Sequence, residues 1–265
     1  MATKKVTKKK TGTQVARIEE QIQAQAAAMQ NAVGNATGNR LRITLGKKFV
    51  SPDGDETPGP IEVVILDFNS QNLLWTAAYD KDNPVPPECF ALSEPASLGG
   101  KITDMTPSDN SPDKQADDCA SCPMNQFGTD DRGRGKACKN TRALAVISNL
   151  DPDVPQDEVP ILLVSVSPGG LKRFDNYVRT LSSKGVTPIT VVTELSLDPN
   201  EDYPSLHFKA TGRNEHLSEH WARLEEAQLM LRAEPDLSSL NADTPAPKRP
   251  AKKKVAKKKA GRRSV

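Results

Sequence analysis

The apolar positions divide the chain into a helical stretch, a strand-rich centre and two ends without periodicity. From Thr13 to about Asn35, Val15, Ile18, Ile22, Ala26, Met29 and Val33 recur at steps of three and four, the spacing of one helix face. The Ala and Gln between them favour helix, and Gly34 and Gly38 end it. So narrow a stripe suits a peripheral helix or a contact with a second copy of the chain. Strand patterns follow: alternation over Leu41–Leu45, a β-branched run over Ile61–Phe68, and a segment from Asn72 to Tyr79 that carries Trp75. Turn-rich pieces such as SPDGDETPGP separate them. Residues 80–141 then lose all periodicity and are dense in Pro, Asp, Ser and Gly. Strands resume at Ala143–Ser148 and Ile161–Val166. A helix with Leu171, Phe174, Val178 and Leu181 on one face comes next, then strands at Ile189–Leu197 and Ser205–Ala210 and a helix from about Glu215 to Ala233.

About seven strands and three helices, with the strands clustered, predict a mixed α+β fold over a doubly wound sheet. Five of the strands suffice for a small β-barrel of the oligonucleotide-binding (OB) type, with residues 80–141 as a long insertion. The predicted organisation is a disordered basic arm at 1–12, a helix and linker at 13–38, a β-rich core at 39–233 and a disordered Lys/Ala-rich tail at 234–265. The tail repeats AKKK at 251–254 and 256–259, a composition that cannot bury a core.

Charge changes this picture more than hydropathy does. Residues 1–10 carry five Lys and residues 248–265 carry ten Lys or Arg, with no acid in either. Setting those fifteen aside from 36 leaves 21 basic residues against 34 acidic ones over residues 11–247, a net of −13. The net +2 of the whole chain therefore hides an acidic centre between basic ends. Attraction for polyanions resides in the tails, and a nucleic-acid groove in the centre must be a local patch. No window approaches the ~18 consecutive apolar residues of a membrane span, and no apolar stretch follows the charged N-terminus. The expectation is a cytoplasmic protein, with neither membrane insertion nor secretion.

Four cysteines are too few for a disulfide scaffold and suit metal binding in a reducing compartment. Cys119 and Cys122 form a CxxC turn; Cys138 follows after 15 residues and Cys89 precedes by 29. Four thiolates fill the four positions of a structural zinc site, though cysteine ligands alone also suit an iron–sulfur cluster or free thiols. His207, His216 and His220 read as surface or internally bonded residues, and no HExxH or HxE pairing accompanies the cysteines, so an enzyme is not expected. Between Cys122 and Cys138 lies a loop whose cations continue past it: Arg132, Arg134, Lys136, Lys139 and Arg142, five in eleven residues. They suit contacts to a nucleic-acid backbone, which Gly133 and Gly135 would let approach closely, or a solvated loop offsetting Asp130 and Asp131. Trp75, Tyr79, Phe90 and Phe127 flank the cysteines and suit base stacking or ordinary packing.

The segments NPVPPECFALSE, CASCPMNQFGTDDRGRGKACKNTRALAVI, ILLVSVSPGGLKRFDNYVRTL and VVTELSLDPNEDYPSLHF resemble a family of bacteriophage replication-module proteins, zinc-containing and single-stranded DNA-binding, over roughly residues 45–233. The resemblance implies Cys89, Cys119, Cys122 and Cys138 as metal ligands, with the cations from Arg132 to Arg142 near the DNA. It also implies other phage replication proteins as partners. The C-terminus departs from this functional class, which often ends in an acidic tail; here the tail is Lys/Arg-rich and adds affinity for DNA. The alternative expectation is a phage structural or regulatory protein that binds nucleic acid non-specifically through its tails.

Overall fold

The computed structural model describes residues 39–76, 85–148, 150 and 153–237. The expected basic arm, the helix at 13–35, Tyr79 and the Lys-rich part of the tail lie outside these residues.

The fold is mixed α+β, with nine strands among the described residues, β1 (Arg40–Ile43), β2 (Phe49–Val50), β3 (Glu56–Thr57), β4 (Ile61–Leu74), β5 (Cys89–Leu92), β6 (Lys139–Ile147), β7 (Leu162–Val166), β8 (Val191–Leu197) and β9 (Leu206–Arg213). Three α-helices are described: α1 (Leu171–Ser182), α2 (Leu217–Ala222) and α3 (Leu224–Arg232). The strand order is β3-β2-β1-β7-β6-β4-β8-β9, with β5 paired to β4. The described residues form two compact units, one of 39–66 with Leu144–Ala227, the other of Asp67–Ala143 with 228–237. β4 and β6 each pass from one unit to the other along the chain.

In the first unit, β1 pairs antiparallel with β2 and parallel with β7, while β8 pairs with the start of β4 and with β9. Val63 to Leu66 are all buried, as are Leu144 to Ile147, so both runs are covered on both faces. That is why these segments read as continuous apolar runs without alternation. α1 is amphipathic and lays Phe174 and Tyr177 on Phe208 of β9, with ring centroids 5.1 and 5.8 Å apart. The predicted single helix over 215–233 is broken at Arg223, whose guanidinium turns inward to the carbonyls of Gln156 and Val159.

The second unit holds the end of β4, β5, the start of β6 and the turns between them. β4 is one strand of 14 residues where the pattern predicted two. The interrupting segment NSQ, Asn69 to Gln71, is buried in mid-strand and bonded: Asn69 Nδ2 donates to Leu231 O at 2.6 Å, and Ser70 N donates to Ser93 Oγ at 2.9 Å. Polar residues that look like a loop are here a largely bonded interior, with Asn69 Oδ1 the buried atom left without a partner. Residues 80–141 are not wholly irregular either, since β5 pairs with β4 in the register Leu74 opposite Cys89 and Asn72 opposite Ala91. A short 3-10 turn at Ala96–Leu98 follows. Gly100 then passes so close to Glu94 that a Cβ would sit 1.7 Å from the Glu94 carbonyl oxygen.

Candidate functional site

All four cysteines lie in the second unit, buried and without a disulfide. Cys89 is the first residue of β5, Cys138 immediately precedes β6, and Cys119 and Cys122 stand on one turn. Asp118 shapes that turn by accepting Ser121 N at 2.8 Å and the Ser121 hydroxyl. Asn125 Nδ2 donates to Cys119 O at 2.6 Å and Gln126 Nε2 to Ala120 O at 3.0 Å. Strand pairing therefore fixes Cys89, while side-chain bonds to the backbone fix the turn.

The four cysteines line one cavity together with Asn72, Leu74, Phe90, Met124 and Asn125. Its volume is about 10 Å³, close to one water-sized sphere. Burial pushes the Cys138 thiol up to about 12, with the neighbouring cysteines adding to the shift and Lys136 opposing it. Burial likewise raises Cys119, against a hydrogen bond from Asn72 that lowers it. Burial thus favours the protonated thiol at Cys119 and Cys138, and a soft divalent cation is the partner that would displace those protons. The donor set fits a thiolate-preferring metal such as zinc.

The loop between Cys122 and Cys138 is folded on itself. The N–H groups of Gly128, Thr129 and Asp130 converge on Gly135 O at 2.8, 3.1 and 3.3 Å. Gly133 turns with a φ of +67°, and a Cβ on Gly135 would sit 2.7 Å from Asp130 Oδ2. Asp130 Oδ1 accepts Arg134 N at 2.8 Å, and backbone N–H bonds, first that of Gly135, hold the Asp130 carboxyl below its usual range. The glycines thus make room for a carboxylate of the chain itself, where the sequence suggested room for a phosphate.

The expected nucleic-acid contacts separate into groups. Arg132, Arg134 and Lys139 are exposed on the loop side. Phe127 is 79% exposed, with the Lys136 ammonium 5.3 Å from its ring centroid. Lys136 itself is half-buried and bonded to Asn125 and Asn140. Arg142 is not on the loop: it is 5% exposed within β6, and its guanidinium bonds Thr141 O at 3.2 Å. Lys139, though exposed, already opens β6, so the change from loop to strand falls between Cys138 and Lys139. Trp75 is partly exposed beyond β4, with its indole N–H on Val85 O at 3.2 Å, whereas Phe90 is core.

A second cation-binding candidate, missed in the sequence, lies in the first unit at the β8–β9 connection. The ligand atoms of Asp198, Glu201 and His207 lie within 4.8 Å of one another. The signal was only the turn-rich DPNEDYPS before His207. Arg173 is paired with Glu201, and Lys47 Nζ donates to the carbonyls of Pro199 and Glu201, each at 2.5 Å. A metal there would compete with two cations already in place. His216 and His220 pack ring to ring at 5.8 Å, and both nitrogens of His220 are bonded within the protein. No described helix is long and apolar enough to cross a membrane. No protein-family model, curated protein or solved structure matches the chain.

Proposed function

We propose that the chain is a non-enzymatic single-stranded DNA-binding protein of a phage replication or recombination system, with one structural zinc ion on Cys89, Cys119, Cys122 and Cys138. The observation that carries this reading is the convergence of four buried, disulfide-free cysteines on one ion-sized cavity, under a loop that exposes Phe127 and several cations. Four protein ligands complete a tetrahedral zinc site, which makes the metal a fastener for the loop.

In this reading β4, β5 and the start of β6 are the platform, the role that a small barrel plays in OB folds. Arg132, Arg134 and Lys139 contact phosphates, Phe127 stacks on a base, and Trp75 extends the aromatic surface. The acidic centre repels DNA at long range, so binding by the core rests on short-range contacts that need unpaired bases. The basic ends add affinity without selectivity. Other phage replication proteins, and a second copy of the chain meeting residues 13–38, are the partners this reading implies.

The test is competition between single-stranded DNA, duplex DNA and RNA for the full chain at raised salt, where tail binding is weakest. Single-stranded DNA should win. Changing Arg132 and Arg134 to Ala should weaken its binding about tenfold, ~1.4 kcal/mol, with metal content unchanged. Equal affinity for all three nucleic acids, and no effect of the loop changes, would favour a phage structural or regulatory protein that uses only its tails.

A further inference from the structure

Lys136 reads in the sequence as one more phosphate contact, but its neighbours give it another role. Its ammonium donates to Asn140 Oδ1 at 2.9 Å and to Asn125 Oδ1 at 3.1 Å. Asn140 Nδ2 donates in turn to Asn72 Oδ1 at 2.5 Å and to Asn125 Oδ1 at 2.9 Å. Asn72 is buried on β4, lines the sulfur cavity beside Cys119, and donates its Nδ2 to the sulfur of Met105, 3.8 Å away, which packs against Cys119.

The orientation of each amide follows from its partners. Asn125 gives its N–H to Cys119 O, so its oxygen faces the two donors. Asn140 gives N–H groups to two oxygens, so its own oxygen faces the ammonium. Asn72 accepts from Asn140, which leaves its N–H for sulfur. One line of donors therefore runs from Lys136 through Asn140 and Asn72 toward the sulfur cavity, with a side branch onto Asn125. Such a head-to-tail chain polarises each bond in turn, and a cation at its far end strengthens the last N–H. Four thiolates on a divalent ion would leave a doubly negative centre, which is costly to bury unless cations and N–H donors face it.

We propose that Lys136, Asn140 and Asn72 are the outer shell of the four-cysteine centre, a one-way hydrogen-bond chain that offsets negative charge on the sulfurs and sets metal affinity. The proposal rests on the reading of the cysteines as metal ligands.

The experiment uses the full chain, stripped of metal and titrated with cobalt(II), then with zinc against a chromophoric chelator. Lys136→Met should lower zinc affinity about tenfold to a hundredfold. It should also move the sulfur-to-cobalt charge-transfer band to lower energy, because a less polarised N–H leaves the sulfur richer in electrons. Lys136→Arg should restore both, and Lys114→Met, which removes a surface cation paired with Asp109, should change neither. A loss of packing alone would not shift the band and be reversed by Arg. Should Lys136→Met fail to fold, Asn140→Ser breaks the same chain and carries the same expectation. A wild-type chain that binds neither metal overturns the cysteine reading and this proposal together. Wild-type metal binding with unchanged affinity and band position in Lys136→Met overturns this proposal alone.

Discussion

Acidification from pH 7 to pH 4.5 should remove a defined part of the stability of the first unit through one side chain, His220. The imidazole is 0% exposed, and burial, helped by the charges of His216 and Arg223, pushes its pKa from 6.5 down to about 4. Its hydrogen bonds show why the neutral ring is preferred. Asn214 Nδ2 donates to Nδ1 at 3.0 Å, and Nε2–H donates to Gln156 Oε1 at 3.0 Å. Both amides are held by other partners, Asn214 Nδ2 on Ile189 O at 2.8 Å and Gln156 Nε2 on Val154 O at 3.0 Å. Adding a proton at Nδ1 would set two donors against each other. As pH falls below 6.5 the unfolded chain takes up this proton before the folded one does. The stability is therefore complete above that value, declines as pH falls toward about 4, and declines no further below it. At ~1.36 kcal/mol per pKa unit the full effect is bounded near 3 kcal/mol, and ~2 kcal/mol of it falls between pH 7 and 4.5. Carboxylates titrate over the same range, so the assay is urea unfolding at both pH values for the wild type and for His220→Gln. The variant starts less stable at pH 7 but should lose about 2 kcal/mol less on acidification. Equal losses in the two proteins would refute the argument.

Two further outcomes follow from the same structure and sequence. Gly100→Ala should lower stability by ~2–3 kcal/mol, because the new methyl would meet the Glu94 carbonyl at 1.7 Å and the turn must open; an unchanged urea midpoint would contradict that close approach. Deleting residues 248–265 should flatten the plot of log affinity for single-stranded DNA against log salt, by roughly 0.7 for each phosphate that the removed cations neutralise, while the order of preference among nucleic acids persists.

The sequence pattern and the fold agree where burial is one-sided or continuous. Helix α1 with Phe174 and Leu181, and the runs in β4, β6 and β7, are visible because their apolar spacing follows their packing. The pattern fails where polar residues are buried and bonded, as at Asn69 to Asn72 in the middle of β4, and where an arginine turns inward, as Arg223 does to end α2. The cysteine grouping is legible from spacing, since a CxxC turn with two outlying cysteines needs only chain reversal to converge. The orientation of the basic loop is not legible. The carboxylate of Asp130, a single side chain, occupies the space and the amide that the glycine-rich run offers to a phosphate, and that depends on how the loop closes on Gly135. The Asp198, Glu201 and His207 group was equally hidden, because it depends on which residues the β8–β9 connection folds together.

The most direct test of the four-cysteine centre is zinc-edge X-ray absorption on chain purified without a tag and dialysed against metal-free buffer, with metal quantified on the same sample. The account predicts about one zinc per chain with four sulfur ligands at ~2.3 Å. Zinc surrounded by nitrogen and oxygen would place it at Asp198, Glu201 and His207 instead. That result, or a metal-free chain with four freely titratable thiols, would contradict the account.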